Sequence, residues 1–233
     1  MPVGTLRRWI AFWYNLPARV ATRIWVGGEV NYAMKYNFEV LSRQYAVVAL
    51  FVRHLAYARG LKAATENLKD HGEFWGSTAS AHLELAVVEW CKVFGSDGEK
   101  THWKNIFAEG AEEQAIEEFR RRILSKTSLA EKQWKAYHKT MLGLRNKFVA
   151  HLDLSKPFNE PTPIFDTALQ VACAYQEWVK WLIRASVGRF TPVIWEDPAF
   201  ISRYEEWKAE ASSIVSLLAK TYVKASTIRS IGN

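Results

Sequence analysis

The sequence predicts an all-α protein, an up-and-down bundle of about five main helices with a helical extension at each end. Apolar residues recur at spacings of three and four along several long segments, which is the period of one helix face. No segment alternates convincingly between apolar and polar residues, as a half-buried strand would. With 233 residues, 49% of them hydrophobic, the chain can bury a full core. We divide it into a basic N-terminal arm (1–28), a helical bundle (29–190) and a C-terminal helical extension packed on the same domain (191–233).

Caps and turn-forming residues set the predicted helix boundaries. Gly60 is placed at the C′ stop of the first helix, and residues 72–76 interrupt the second. Asp197 and Pro198 fit an N-cap followed by proline at the first helical position. In chain order, the predicted helical segments are 29–59, 61–70 with 77–94, 101–108, 111–124, 128–151, 166–187 and 198 to about 224. The last of these is predicted to bury Ile201, Tyr204, Trp207, Ala211, Ile214, Leu218 and Tyr222.

The helix over 128–151 carries the most informative pattern. Ser128 and Glu131 have the spacing of a capping box, which places the start of the helix there. One apolar face follows, made of Trp134, Tyr137, His138, Met141, Leu144 and Phe148. At about 100° per residue, Arg145 falls in the middle of that face and His151 lies about 120° from it. Either the helix ends near His151 and turns it back, or Arg145 and His151 meet across two subunits.

The run 145–151 places a permanent cation, an amide and an imidazole within seven residues, on Arg145, Asn146 and His151. Such groups can hold a phosphate and move protons around it. An arginine on an apolar face needs an anion beside it, because an unpaired buried charge is costly. A phosphate would meet that need, and so would a glutamate of the neighbouring segment such as Glu84 or Glu89. If a phosphate is the intended anion, Arg145 should lack an internal partner.

The segment Arg145–Asp153 resembles the Arg-polar-x-x-x-x-His signature of the HEPN superfamily, all-α domains with nucleotide-binding and ribonuclease members. It is most similar to the HEPN-like branch linked to the U-type abortive-infection proteins of phage defence. The segments Val88–Gly98 and Thr101–Trp103 also resemble that branch. The resemblance covers roughly residues 29–190, and the N-terminal arm and the last helix lie outside it.

The resemblance implies a homodimer whose two Arg–His motifs face each other, and a metal-independent endoribonuclease of the toxin or phage-defence kind. Arg145 would then stabilise the charge on the phosphorus centre, and His151 would transfer the proton of the 2′-OH or the 5′-O. Asn146 would orient the phosphate or His151, while Lys147, Asp153 and His138 would contact the substrate. The implied partners are RNA, a second copy of the chain and an antitoxin protein. The alternative is a HEPN-like module without catalysis that binds nucleic acid, a nucleotide or another protein.

Composition and the other motifs limit the classes of function and partner that the sequence allows. The net charge of +7 favours a polyanionic partner. The arm over 1–28 is basic and amphipathic, suited to packing on the domain or a partner, or to contacting a membrane surface or nucleic acid. The longest apolar run is too short to span a bilayer, so no integral membrane association is expected. Cys91 and Cys173 fit core positions of a protein of the reducing cytoplasm. Phosphate-loop, zinc-protease and Cys-x-x-Cys motifs are absent from the sequence, so we expect neither a metal nor a cofactor.

Overall fold

The computed structural model describes residues 36–66, 72–107, 113–146, 163–186 and 198–231. Within these ranges the chain is helical, apart from loops and an isolated bridge between Tyr36 and Phe107. The helices are α1 (Phe38–Thr65), α2 (Gly72–Phe94), a 3₁₀ helix (Trp103–Ile106), α3 (Glu113–Thr127), α4 (Glu131–Leu144), α5 (Phe165–Ser186) and α6 (Phe200–Ile231). The prediction of an all-α helical bundle is confirmed. The N-terminal arm lies outside the described residues.

Helix α1 is the central element of the bundle. Its apolar residues at spacings of three and four form one buried stripe, which consists of Leu41, Tyr45, Val48, Val52 and Leu55. Helix α2 runs back along α1, since His82 lies against His54 while Trp75 packs on Leu61 nearer the turn. On other sides α1 contacts α5 and α6. The final helix is therefore packed on the same body as the bundle.

Aromatic rings fill the centre between α2, α3, α5 and the 3₁₀ helix. Phe119 stacks on Trp178 with ring centroids 4.8 Å apart, and Trp103 meets Phe119 edge-on at the same distance. The indole N–H of Trp178 donates to the carbonyl of Ala115 at 3.0 Å, so its polar group is satisfied inside the core. Cys91 is buried here as predicted, and burial raises the pKa of its thiol to about 12.

The predicted stop of the first helix at Gly60 is wrong. Helix α1 continues through Gly60 to Thr65, and α2 then starts at Gly72 without a break at 72–76. Gly60 instead allows α6 to approach α1. A Cβ at this position would overlap the Lys208 carbonyl oxygen and lie 2.9 Å from Ala211 Cβ. The hydroxyl of Ser212 donates to the Gly60 carbonyl at 3.0 Å across the same contact. A glycine is therefore needed at position 60 for close helix packing and not for ending the helix.

We expect Gly60→Ala to destabilise the protein by about 1–3 kcal/mol, because the added methyl group must push two helix backbones apart. Gly76→Ala is the matched control. Gly76 also lies inside a helix, but a Cβ there meets nothing within 4 Å, so alanine should stabilise by about 0.5–1 kcal/mol through helix propensity. Urea unfolding of both variants checks the pair. Equal effects of the two substitutions would contradict the close-packing role of Gly60.

The predicted capping box at Ser128 and Glu131 is also wrong. Ser128 has a φ of 54°, a left-handed conformation directly after the end of α3 at Thr127. The N-cap of α4, Ala130, follows two residues later. There the Gln133 side chain accepts from the Ala130 N–H at 2.8 Å, the reaching-back half of a capping box without its serine. The predicted apolar face of this helix is confirmed from Trp134 to Leu144, and Phe148 lies outside the described residues.

Helix α6 differs from the predicted last helix in its first residue and in the side chains that it buries. Asp197, the predicted N-cap, lies outside the described residues, and the helix begins at Phe200. Its N–H donates to the side-chain oxygen of Gln176 on α5 at 2.7 Å, which caps the helix from a neighbour. The residues of α6 that pack inward are Phe200, Tyr204, Trp207, Ala211 and Val215. Ile201, Ile214 and Leu218 were predicted to be buried but are about half exposed, because the packed stripe is narrow.

Candidate functional site

Arg145 stands where α4 ends. The helix closes at Leu144, and the Arg145 N–H still bonds to the carbonyls of Met141 and Leu142. Its φ and ψ of −55° and −51° keep the backbone helical, so the side chain stays on the face that carries Met141. The exposed fraction of the side chain is 24%, which places the guanidinium between core and solvent. The predicted position of Arg145 on the apolar face is confirmed.

The guanidinium is held on two sides. Its Nη1 donates to Glu99 Oε1 at 3.1 Å, and its Nε donates to the side-chain oxygen of Asn146 at 2.9 Å. The expectation that Arg145 lacks an internal partner is therefore wrong. The partner is not Glu84 or Glu89, since the Glu89 carboxylate instead pairs with Lys92 at 2.7 Å. Glu99 is 39% exposed, so the Arg145–Glu99 pair is open to solvent on one side.

The loop that carries Glu99 is fixed by its backbone. It leaves α2 at Gly95, where a side chain would collide with the Cys91 carbonyl. The Glu99 N–H donates to the Ser96 carbonyl at 3.1 Å, and the Glu99 carbonyl accepts from the Asn105 side chain at 2.8 Å. The position of the Glu99 backbone is thus set, and its carboxylate lies partly exposed beside Arg145.

His102 lies at the other end of this loop, which spans residues 95–102. Its Nε2 lies 3.3 Å from Asp97 Oδ1, and its Nδ1 lies 3.5 Å from the Lys104 N–H. This arrangement fits a neutral ring that donates from Nε2 and accepts at Nδ1. Burial lowers the pKa of His102 to about 4 and outweighs the attraction of Asp97. The hydrogen bond from Lys104 holds the pKa of the Asp97 carboxyl below its usual range.

A buried amide ties the loop to the bundle. The Gln44 side chain of α1 donates to the His102 carbonyl at 2.7 Å and accepts from the Tyr175 hydroxyl of α5 at 2.8 Å. Three segments that are far apart in sequence meet in this network. The loop beside Arg145 therefore rests on the core of the fold and is not a free surface segment.

His138, a predicted substrate-binding residue, also contacts this loop. Its Nε2 lies 2.6 Å from the Phe94 carbonyl oxygen and 3.2 Å from that of Gly95. The ring therefore donates its N–H to the last carbonyl of α2 and to that of the residue after it, the usual role of a basic group at a helix C-terminus. Its ring packs between Trp90 and Trp134, with centroid distances of 6.0 and 5.8 Å. The geometry gives His138 a structural role, and its contact with a substrate stays a prediction.

The remaining predicted site residues, Lys147, His151 and Asp153, lie outside the described residues. The structure thus brings together Arg145, Asn146 and His138 around the loop 95–102, and it does not address the meeting of Arg145 and His151. Sequence reasoning missed Glu99 and the Asp97–His102 pair. The segments Val88–Gly98 and Thr101–Trp103, which were singled out in the sequence, contain Asp97 and His102, but no pattern in the sequence pointed to Glu99.

Comparisons of the chain with protein-family models, with curated proteins and with solved structures gave no match. None of the described helices combines the length and low charge content needed to cross a membrane. Among the described side chains, histidine, cysteine and carboxylate groups form no cluster of three that would suit a metal ion.

Proposed function

We propose that this protein is a metal-independent endoribonuclease of HEPN type, acting as a homodimer in a toxin or phage-defence role. The observation that carries the proposal is the setting of Arg145. Its guanidinium stands at a helix end, fixed by Asn146, with its other edge turned to a solvent-facing carboxylate. A phosphate that replaced the Glu99 carboxylate would find the same planar, two-pronged donor.

In the proposed reaction the RNA 2′-OH attacks the adjacent phosphorus, the P–O2′ bond forms and the P–O5′ bond breaks. His151 takes the proton of the 2′-OH or gives one to the leaving 5′-O. Arg145 stabilises the negative charge that builds on the phosphorus oxygens, and Asn146 keeps its fork oriented. The products are a 2′,3′-cyclic phosphate and a 5′-hydroxyl. The proton lost by the 2′-OH balances the one gained by the 5′-O, and water makes whichever of the two transfers His151 does not make.

The homodimer rests on the resemblance. Glu99 of the same chain supplies the anionic neighbour that Arg145 needs, so the charge of Arg145 does not by itself require a second subunit at α4. The two-fold arrangement of Arg–His motifs remains part of the proposal and is tested through activity.

A second candidate is a HEPN-like module without catalysis, which binds nucleic acid, a nucleotide or a protein partner. Two observations favour it: Arg145 is already paired with Glu99, and the Nε2 of His138 is occupied by backbone carbonyls. In this module Arg145 would hold the loop 95–102 on α4. RNA binding, if present, would then come from the overall positive charge and would not depend on Arg145.

Incubation of the purified protein with single-stranded RNA in excess EDTA tests the proposal. We expect cleavage that persists in EDTA and fragments that end in 2′,3′-cyclic phosphate, because the nucleophile is the neighbouring 2′-OH. DNA of the same sequence should stay intact, since it lacks that hydroxyl. Activity that disappears with EDTA and returns with a divalent metal ion would contradict the mechanism. Binding of RNA without cleavage would favour the second candidate.

A further inference from the structure

Two histidines face each other between the central helices, remote in sequence from the Arg145 site. The Nδ1 atoms of His54 on α1 and His82 on α2 are 2.9 Å apart, and the ring centroids are 5.2 Å apart. At this distance one nitrogen must donate a proton and the other must offer its lone pair. The neutral pair therefore holds one ring as the Nδ1–H tautomer and the other as the Nε2–H tautomer.

The surroundings keep the pair neutral. Both rings are half-buried, and the Tyr57 ring of α1 meets His82 edge-on at 5.5 Å. Burial lowers the pKa of His54 to about 4, helped by His82 and by the cationic Arg53, and it lowers the pKa of His82 too. The facing carboxylate is Glu210 of α6, which accepts from the Tyr57 hydroxyl at 3.3 Å. Burial is the largest cause of both lowered pKa values, and the cationic Arg53 acts in the same direction.

The histidine pair lies between two halves of α2 that pack against different hydrophobic clusters. On its C-terminal side α2 is anchored in the main core by Ala86, Val87 and Trp90, which are fully buried. On its N-terminal side α2 packs through Trp75 and Ala79 against a small separate cluster formed by Leu61, Ala211 and Val215. Phe74 in this half is 68% exposed. The first half of α2 therefore depends on a small contact and on the histidine pair, so it should open more readily than the second half.

We propose that His54 and His82 form an acid-sensitive latch, in which protonation of both rings breaks the Nδ1–Nδ1 bond and releases the first half of α2 from α1 and α6. With both rings protonated, two imidazolium groups and Arg53 would face one another with no lone pair left to accept. A group whose pKa is lowered in the folded state stabilises that state above its unfolded pKa of about 6.5 and loses this effect as the pH falls. The latch is therefore closed at neutral pH and weakens as the pH falls from about 6.5 towards about 4.

Hydrogen exchange of the full chain, resolved by segment and corrected for the intrinsic pH dependence, tests the latch. We expect the opening equilibrium of residues 73–82 to rise by up to about a hundredfold per pH unit below pH 6, because opening of the neutral pair takes up two protons, one on each ring. Residues 86–94 should stay protected. In His82→Gln the amide still donates and accepts but takes up no proton, so the rise for residues 73–82 should fall to at most about tenfold per pH unit, the share of His54, and the double variant His54→Gln/His82→Gln should lose it. His102→Gln is the matched control, a second buried histidine of lowered pKa whose loss should leave that dependence unchanged.

Three results would overturn the latch. An unchanged pH dependence in His82→Gln would exclude the pair as its source. Acid exchange that rises equally in residues 73–82 and 86–94 would indicate global unfolding instead. Protection that is strengthened by zinc and lost with EDTA would show that the two nitrogens hold a metal ion and not a shared proton. Nitrogen-15 spectra of the imidazole rings at pH 7.5 supply an independent check, since two identical tautomers cannot form the bond.

Discussion

His151→Ala is expected to lower RNA cleavage by roughly 10²- to 10⁴-fold, the usual contribution of a positioned acid–base group. The proposed mechanism gives His151 the proton of the 2′-OH or of the 5′-O, and alanine can carry neither. The melting temperature should change little, because the sequence places His151 after the apolar stripe of its helix and not within it. Cleavage assays and thermal melting of the same preparation check both parts. Full cleavage by the variant would remove His151 from the mechanism.

Mixing two inactive variants separates the two ways in which Arg145 and His151 could meet. If the site is built across a two-fold axis, a heterodimer of Arg145→Ala and His151→Ala contains one intact site and one doubly mutated site. Co-expression should then restore activity to as much as about half that of wild type per heterodimer, by counting intact sites. If both residues serve one site within a single chain, every site stays defective and the mixture remains inactive. Light scattering of the wild-type protein at micromolar concentration accompanies this test, since a monomer would contradict the composite site.

Helix content was predictable because it depends on local periodicity. The stripes of α1 and α4 were recognised from spacings of three and four, and the buried side chains confirm them. The ends of helices depend on which partner meets the chain. Gly60 has the sequence signature of a stop but lies inside α1, because α6 needs a close approach at that point. Nothing near Gly60 in sequence reveals a contact with Ala211, more than a hundred residues away.

The candidate site, like the fold, was predictable from the sequence only in its local part. The position of Arg145 on its helix followed from the helical period, but its partner Glu99 lies on a loop 46 residues earlier. That loop has no periodicity. Its course is set by the glycine at Gly95, by the buried amide of Gln44 and by the His102–Asp97 contact, all of which are tertiary. Charge complementarity narrowed the partner of Arg145 to a glutamate or a phosphate, and only the fold identified the glutamate.

The Arg145–Glu99 pair limits how much stability Arg145 can supply. Both side chains are partly exposed, and such an ion pair contributes about 0–1 kcal/mol. Arg145→Lys keeps the charge, so the free energy of unfolding should fall by less than about 1 kcal/mol. Cleavage should fall much further, by roughly 10²- to 10³-fold, because an ammonium group does not reproduce the planar fork that a phosphate needs. If Arg145 were structural, Arg145→Lys would instead lower the free energy of unfolding markedly and leave cleavage per folded molecule unchanged.

Glu99→Gln completes this prediction, because Glu99 and an RNA phosphate compete for the same guanidinium. Glutamine removes the competing charge and keeps the shape, so RNA affinity should rise about threefold to tenfold, which corresponds to roughly 1 kcal/mol. Glu84→Gln, at an exposed position on α2, is the matched control for the change in net charge and should have a smaller effect. Fluorescence anisotropy with labelled RNA, thermal melting and cleavage per folded molecule are measured on all three variants. A large loss of melting temperature in Arg145→Lys with cleavage per folded molecule retained would show that Arg145 holds the loop and does not clamp a phosphate.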